Sequence, residues 1–205
     1  MSNAVLKSPP MTIRDYLEFE RKSEIKHEFV DGELIAMAGN REAHSLITMN
    51  FGAAMWKALQ GKPCRVYDSN LRVKVIDRPR YRYPDVLVIC GPTEFDPSDD
   101  QQMSITNPKL VVEVLSDSTA SADRGEKFRD YRAAASFEQY VLVSQTSPTV
   151  ETFLRQGDGS WRMEVKTGLD QQVELRALGM TIPLAEIFAN VEFPPEPDSA
   201  AIESK

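Results

Sequence analysis

The sequence predicts an α/β fold in which a mixed central sheet is flanked by helices and extended by β-hairpins towards both ends. Three observations predict it. LVVEVL at 110–115, a helical segment from about Asp123 to Ala135, and the apolar EQYVLVS run form a β–α–β order. Such an order joins two parallel strands of one sheet by a crossover helix on its face. HEFVDGELIAMA reads as two short strands turning at Asp31-Gly32, a strong hairpin signal. Between these, Ala43, Ile47, Phe51, Ala54, Met55 and Ala58 recur at helical spacing and give a long helix one apolar face.

In chain order, residues 1–10 read as a flexible arm ending at Pro9-Pro10, residues 11–193 as one domain, and the Pro- and acid-rich 194–205 as a disordered tail. Thr12 followed by Asp15 opens a short helix through IRDYLEFERKS. Asn40 is placed to cap the long helix, which runs through Gln60 and stops at Gly61. CRVYDSNLRVKVI and YPDVLVICG are strands, followed by the polar loop GPTEFDPSDDQQMSITNP. The last third alternates short strands (VETFLR, WRMEVK, QVEL) with turns, then adds a short IPLAEIFA helix. Trp56 and Trp161 read as packing residues of core or hairpin.

Bulk properties narrow the function. With 24 basic and 31 acidic side chains the net charge is −7, which disfavours a protein that simply coats nucleic acid or an anionic membrane. Cys64 and Cys90 form no CxxC pair and read as reduced core residues, without a disulfide or a metal knuckle. No apolar run approaches membrane-spanning length, and MSNAVLKSPP lacks the apolar centre of a signal peptide. The expectation is a soluble, cytoplasmic protein.

The chemistry concentrates around one acid. Glu113 sits inside LVVEVL, with Val111 and Leu115 on its own face of the strand. A carboxylate in such a place needs a partner or a role. Asp85, after Pro84 and at the start of VLVICG, is its natural companion if the two strands are neighbours. Two convergent carboxylates, with the carbonyl of residue 114 close by, suit a hard divalent ion, Mg²⁺ or Mn²⁺. Such an ion lowers the pKa of a bound water and polarises a phosphodiester. Lys127, in DRGEKF just beyond the strand, is placed to stabilise charge building on phosphate, with Gly125 leaving room. Its bland reading is a surface ion pair with Asp123, four residues earlier.

These residues resemble a family. HEFVDGELIAM, the His44 region, YPDVLVICG, LVVEVLSDSTASADRGEKFRDYRAA, EQYVLV and IPLAEIF look, in that order, like the Uma-two family of proteins labelled putative restriction endonucleases. The proline-aspartate and the following strand glutamate are the pattern of the PD-(D/E)XK nuclease superfamily. The resemblance implies a restriction-endonuclease-like fold, with Asp85 and Glu113 as metal ligands and catalytic residues. Where the superfamily motif would place a lysine, two residues after the glutamate, this chain has Leu115. Lys127 is then the displaced lysine, as in similar families. Glu33 resembles the family's Gly-Glu pair and is a candidate third acid. His44 is a candidate base for water.

LRVKVIDRPRYRYPD carries Arg72, Lys74, Arg78, Arg80 and Arg82 with Tyr81 and Tyr83 interleaved. This local reversal of sign suits phosphate contacts and base stacking in a nucleic-acid cleft. A solvated edge strand is the bland alternative. The whole reading is a metal-dependent endonuclease acting on DNA, as a homodimer if both strands are to be cut. Its rival is a catalytically inactive nuclease-like module for nucleic-acid binding or assembly.

Overall fold

The computed structural model describes residues 10–37, 39 and 41–194. The expected arm, the tail from 195 onward and the Asn40 cap lie outside the described residues.

Helix α1 (Ile13–Glu20) begins at Thr12, whose side chain and that of Asp15 form the expected capping box. Strands β1 (His27–Val30) and β2 (Glu33–Ala36) flank a turn in which Asp31 and Gly32 both take positive φ, 51° and 99°, the backbone an Asp-Gly hairpin turn requires. Helix α2 (Glu42–Ala58) has Arg41 at its N-cap and buries His44, Ile47, Phe51, Ala54 and Met55. Strands β3 (Cys64–Asp68), β4 (Arg72–Lys74), β5 (Arg80–Arg82), β6 (Val86–Cys90), β7 (Ser104–Ile105) and β8 (Leu110–Leu115) follow. The crossover comprises α3 (Ala120–Ala122), a π-helical turn (Asp123–Lys127) and α4 (Phe128–Tyr131). Strands β9 (Gln139–Ser144), β10 (Thr149–Arg155), β11 (Trp161–Thr167), β12 (Gln172–Leu175) and β13 (Met180–Pro183) precede α5 (Leu184–Ile187).

The main sheet has the order β11-β10-β9-β8-β6-β3. β8 and β9 are parallel, as the β–α–β order predicts, and the other pairs are antiparallel. A second sheet, β2-β1-β5-β4-β7, draws the N-terminal hairpin together with the basic stretch. β5 sits in its interior between β1 and β4, so this stretch is no solvated edge. Alternation along β6 and β8 sends Val86, Val88, Leu110, Val112 and Val114 to the core beneath α2 and α5. Leu87, Ile89, Val111 and Leu115 go to the opposite core, with Tyr131, Phe137 and Tyr140.

Two expectations are corrected here. Cys64 and Cys90 stand directly opposite in the β3–β6 register, with Cα atoms 4.0 Å apart, and are joined as a disulfide rather than reduced. Spacing in sequence hid the pairing because the cysteines come from different strands. Trp161 packs against the second core, but Trp56 is 61% exposed, because it lies outside the buried stripe of Ile47, Phe51, Ala54 and Met55 on α2.

Candidate active site

The register brings the two acids together. Val86 pairs with Val112 across β6 and β8, and one further step sets Asp85 against Glu113. Both share the face of Leu87 and Val111, on the side of the crossover helix. Asp85 and Glu113 line a cavity of about 610 Å³, together with Val114, Lys127, Glu28 and His44.

Asp85 is held from two sides. Its Oδ2 accepts the Val114 backbone N–H at 2.7 Å, and His44 Nε2 lies 3.3 Å from the same oxygen. The first turn of α2 delivers His44 to this position, where it is 6% exposed.

Glu113 is enclosed, with 2% exposure. Its Oε1 accepts the Tyr131 hydroxyl at 2.8 Å and lies 3.4 Å from Lys127 Nζ. Burial pushes the Glu113 carboxyl well above the usual carboxylate range, in spite of the nearby Lys127 charge; Asp123, Asp85 and Glu28 add to the rise. Lys127 Nζ also stands 3.0 Å from Asp123 Oδ1 and 3.4 Å from Glu28 Oε1. Burial works against its ammonium, but the surrounding carboxylates outweigh this and hold the pKa well above the ordinary lysine value.

The π-helical turn explains how a lysine so far from the motif position reaches the acid. Its wider winding turns both Asp123 and Lys127 inward, where they are 1% and 8% exposed. The expected Asp123–Lys127 pair therefore exists, but in the interior and shared with two further carboxylates.

Sequence reasoning missed Glu28. It is 6% exposed in β1, accepts a hydrogen bond from the Arg82 guanidinium at 2.8 Å, and accepts the Tyr83 N–H at 3.3 Å. Its signal was the one that exposed Glu113: an acid inside a short apolar strand, here HEFV. Glu33 does not join the group. It is an exposed residue of β2, opposite Val30 in the hairpin register.

The basic stretch is largely committed elsewhere. Arg72 pairs with Asp99 at 2.8 Å, Arg80 with Asp31, Glu126 and Asp130, and Arg82 with Glu28, Glu126 and Asp130. All three arginines are buried, as are Tyr81 and Tyr83. Lys74 donates to the Val75 and Arg78 carbonyls at 2.7 and 2.5 Å. Arg78 alone among the five cations is exposed. Arg72, Arg80 and Arg82, expected to face a nucleic-acid backbone, are instead placed by alternation along two strands against acids from the loop, hairpin and helix.

A divalent ion fits the remaining donors. Among the described residues no group of three or more His, Cys, Asp or Glu is spaced to hold a metal by itself. Asp85 and Glu113 nevertheless present hard oxygen donors to one cavity beside Val114. Asp85 Oδ2 and Glu113 Oε1 are engaged by protein donors, and the second oxygen of each has no hydrogen-bond partner among the described residues. Two carboxylates with water completing the shell is a donor set that suits Mg²⁺ or Mn²⁺. A cation there would also offset the charge that burial disfavours at Glu113.

Residues 13–185 match the model of the Uma2 family, described as "Putative restriction endonuclease". Two relatives come from Synechocystis sp. strain PCC 6803. Uncharacterized protein slr1290 is 33% identical over 186 residues, covering 90% of this chain and 95% of the relative. Uncharacterized protein sll1609 is 32% identical over 164 residues, covering 80% and 92%. The fold is similar to the crystal structure of a putative nuclease belonging to DUF820 from Anabaena variabilis ATCC 29413. That match has a TM-score of 0.68 at 16% identity, across 87% of this chain and 98% of the other. With the family model spanning most of the domain and both relatives matched over most of their length, this chain belongs to the Uma2 (Uma-two) family of putative restriction endonucleases.

Proposed function

We propose that this protein is a metal-dependent endonuclease that hydrolyses phosphodiester bonds of DNA. The observation that carries the reading is the juxtaposition of Asp85 and Glu113 across β6 and β8, with Lys127 Nζ 3.4 Å from Glu113. Asp85 and Glu113 would hold Mg²⁺ or Mn²⁺. When bound, such an ion supplies a water of lowered pKa and a counter-charge for the phosphate. The Val114 N–H and His44 fix the orientation of Asp85. His44, from its place beside Asp85, would take a proton from the attacking water. Lys127 keeps its proton and would stabilise charge building on the phosphate oxygens. Tyr131 holds Glu113 in place. Two copies would serve the two strands of a duplex.

The second reading, an inactive nuclease-like module, is favoured by Leu115 at the usual lysine position and by the burial of Arg72, Arg80 and Arg82. The inward placement of Lys127 supports the enzyme over that module. The test is cleavage of supercoiled plasmid and of a single-stranded oligonucleotide with Mg²⁺, Mn²⁺ or EDTA, alongside Asp85→Ala and Glu113→Ala. Metal-dependent cutting lost in both variants is expected. Well-folded protein that binds DNA indifferently to metal and to both acids would overturn the reading in favour of the module.

A further inference from the structure

A second cavity, about 560 Å³, opens between α2 and β3. It adjoins the first, for His44 and Asp85, 3.3 Å apart at Nε2 and Oδ2, line both. Its wall carries side chains that a self-contained domain would ordinarily bury. Met49 is 70% and Trp56 61% exposed, and they share one stripe of α2 with Ala53 between them. Val66 faces the groove from β3, while Tyr67 borders it and packs its side chain against the opposite core. Gly52 borders open space, for a Cβ there would meet nothing within 4 Å. The Thr48 hydroxyl, also in the wall, is buried without a hydrogen-bond partner among the described residues.

We infer that this groove holds unpaired bases of a single-stranded nucleic acid whose phosphodiester lies at Asp85 and Glu113, with one base stacked on Trp56. The inference rests on the nuclease reading and names its substrate class. Adjacency is the first argument: a chain at Asp85 has the groove as its next surface. Chemistry is the second, because an exposed indole with a thioether beside it forms a sequence-tolerant platform for flat bases. Charge is the third. The protein carries a net −7, and Arg72, Arg80 and Arg82 are spent on internal acids, so phosphate attraction is a poor source of affinity. Stacking supplies what the charges do not, and a duplex keeps its bases inside, out of the groove's reach.

The experiment uses the full chain in EDTA, so that binding is read without cutting. Probes are a short oligothymidine, an abasic oligonucleotide of equal length and a duplex, with anisotropy as readout. In a Trp161→Phe background, Trp56 is the remaining tryptophan and its emission reports stacking directly. The expected results are quenching by oligothymidine alone, a shallow salt dependence, and about tenfold weaker binding for Trp56→Ala, restored by Trp56→Phe. Gly52→Phe, which fills the groove without removing the stack, should weaken binding likewise. Equal binding of abasic and base-bearing probes, or no effect of either groove variant, would overturn the inference. So would concentration-dependent self-association abolished by Trp56→Ala, which would give the groove to a second copy of the chain. Plasmid cutting without Trp56-dependent binding would sink the groove and spare the nuclease; Trp56-dependent binding without cutting by any metal would do the reverse.

Discussion

Lys127 Nζ lies 3.4 Å from Glu113 Oε1 although the two belong to different elements, a π-helical turn and a buried strand. The contact makes the two side chains one electrostatic unit. It joins Glu28 and Asp123 to the same ammonium, so three acids share one cation, with Arg82 a second partner for Glu28.

Removing that cation should therefore be costly. Lys127→Ala leaves buried carboxylates uncompensated and is expected to destabilise the fold by about 3–5 kcal/mol, measured by urea denaturation. Lys127 has a raised pKa, so the stability it contributes is complete below the ordinary lysine value and is lost only as pH rises through its higher folded value. Wild-type protein should keep that contribution across the neutral range, with the loss confined to strongly alkaline solution. Equal stability of Lys127→Ala and wild type at pH 7 would contradict the arrangement.

For Glu113 the linkage has the same sign, but here the form that burial disfavours is the ionised one. Its folded pKa is raised by burial, so the native state binds the proton more tightly than the unfolded chain. Over the window from the ordinary glutamate value up to its folded value, its contribution to stability falls as pH rises. Glu113→Gln, which mimics the protonated acid, should flatten that slope and leave stability at pH 7 equal or higher while abolishing cleavage. A fall in stability of Glu113→Gln at pH 7 would show that the ionised acid is a net structural asset.

A divalent ion should reverse the burden on Glu113. At a free Mg²⁺ concentration of about ten times its Kd, linkage gives about 1.4 kcal/mol, or a Tm rise of about 3–6 °C. Asp85→Asn and Glu113→Gln should each erase the rise, and EDTA should remove it from wild type. Scanning calorimetry with and without the ion checks this; a shift that persists in both variants would place the ion elsewhere.

The arginines separate structure from binding. Arg82 is 1% exposed and holds Glu28 and Asp130, so Arg82→Ala should cost about 3–5 kcal/mol. The exposed Arg78 should tolerate alanine within about 0.5 kcal/mol and lose affinity for DNA only if its guanidinium meets a phosphate. Thermal denaturation and anisotropy, read together on both variants, distinguish the two roles.

The Cys64–Cys90 link closes a separation of 26 residues, and chain-entropy reasoning assigns such a loop about 3.5 kcal/mol. Reduction should lower the denaturation midpoint, and Cys64→Ser with Cys90→Ser should make the protein insensitive to reductant. Free thiols detected in the unreduced native protein would remove the link.

Much of the architecture was written locally. The Thr12–Asp15 cap, the Asp31-Gly32 turn, the apolar face of α2 and the β–α–β order each depend on residues close in sequence, where turn chemistry and periodicity act. The isolation of Glu113 and Asp85 in apolar strands marked them as well, because burying a charge without purpose is expensive. What neighbours each side chain acquired was decided only by the tertiary structure. Strand pairing set Cys64 opposite Cys90 and Asp85 opposite Glu113. The second sheet put β5 in its interior, converting Arg80 and Arg82 from candidate phosphate contacts into partners of Asp130 and Glu126. Glu28 entered the site and Glu33 left it, through the direction in which a hairpin strand faces. Local pattern fixes which face of an element is apolar; long-range packing fixes what stands across from it, and charge pairing depends on the latter.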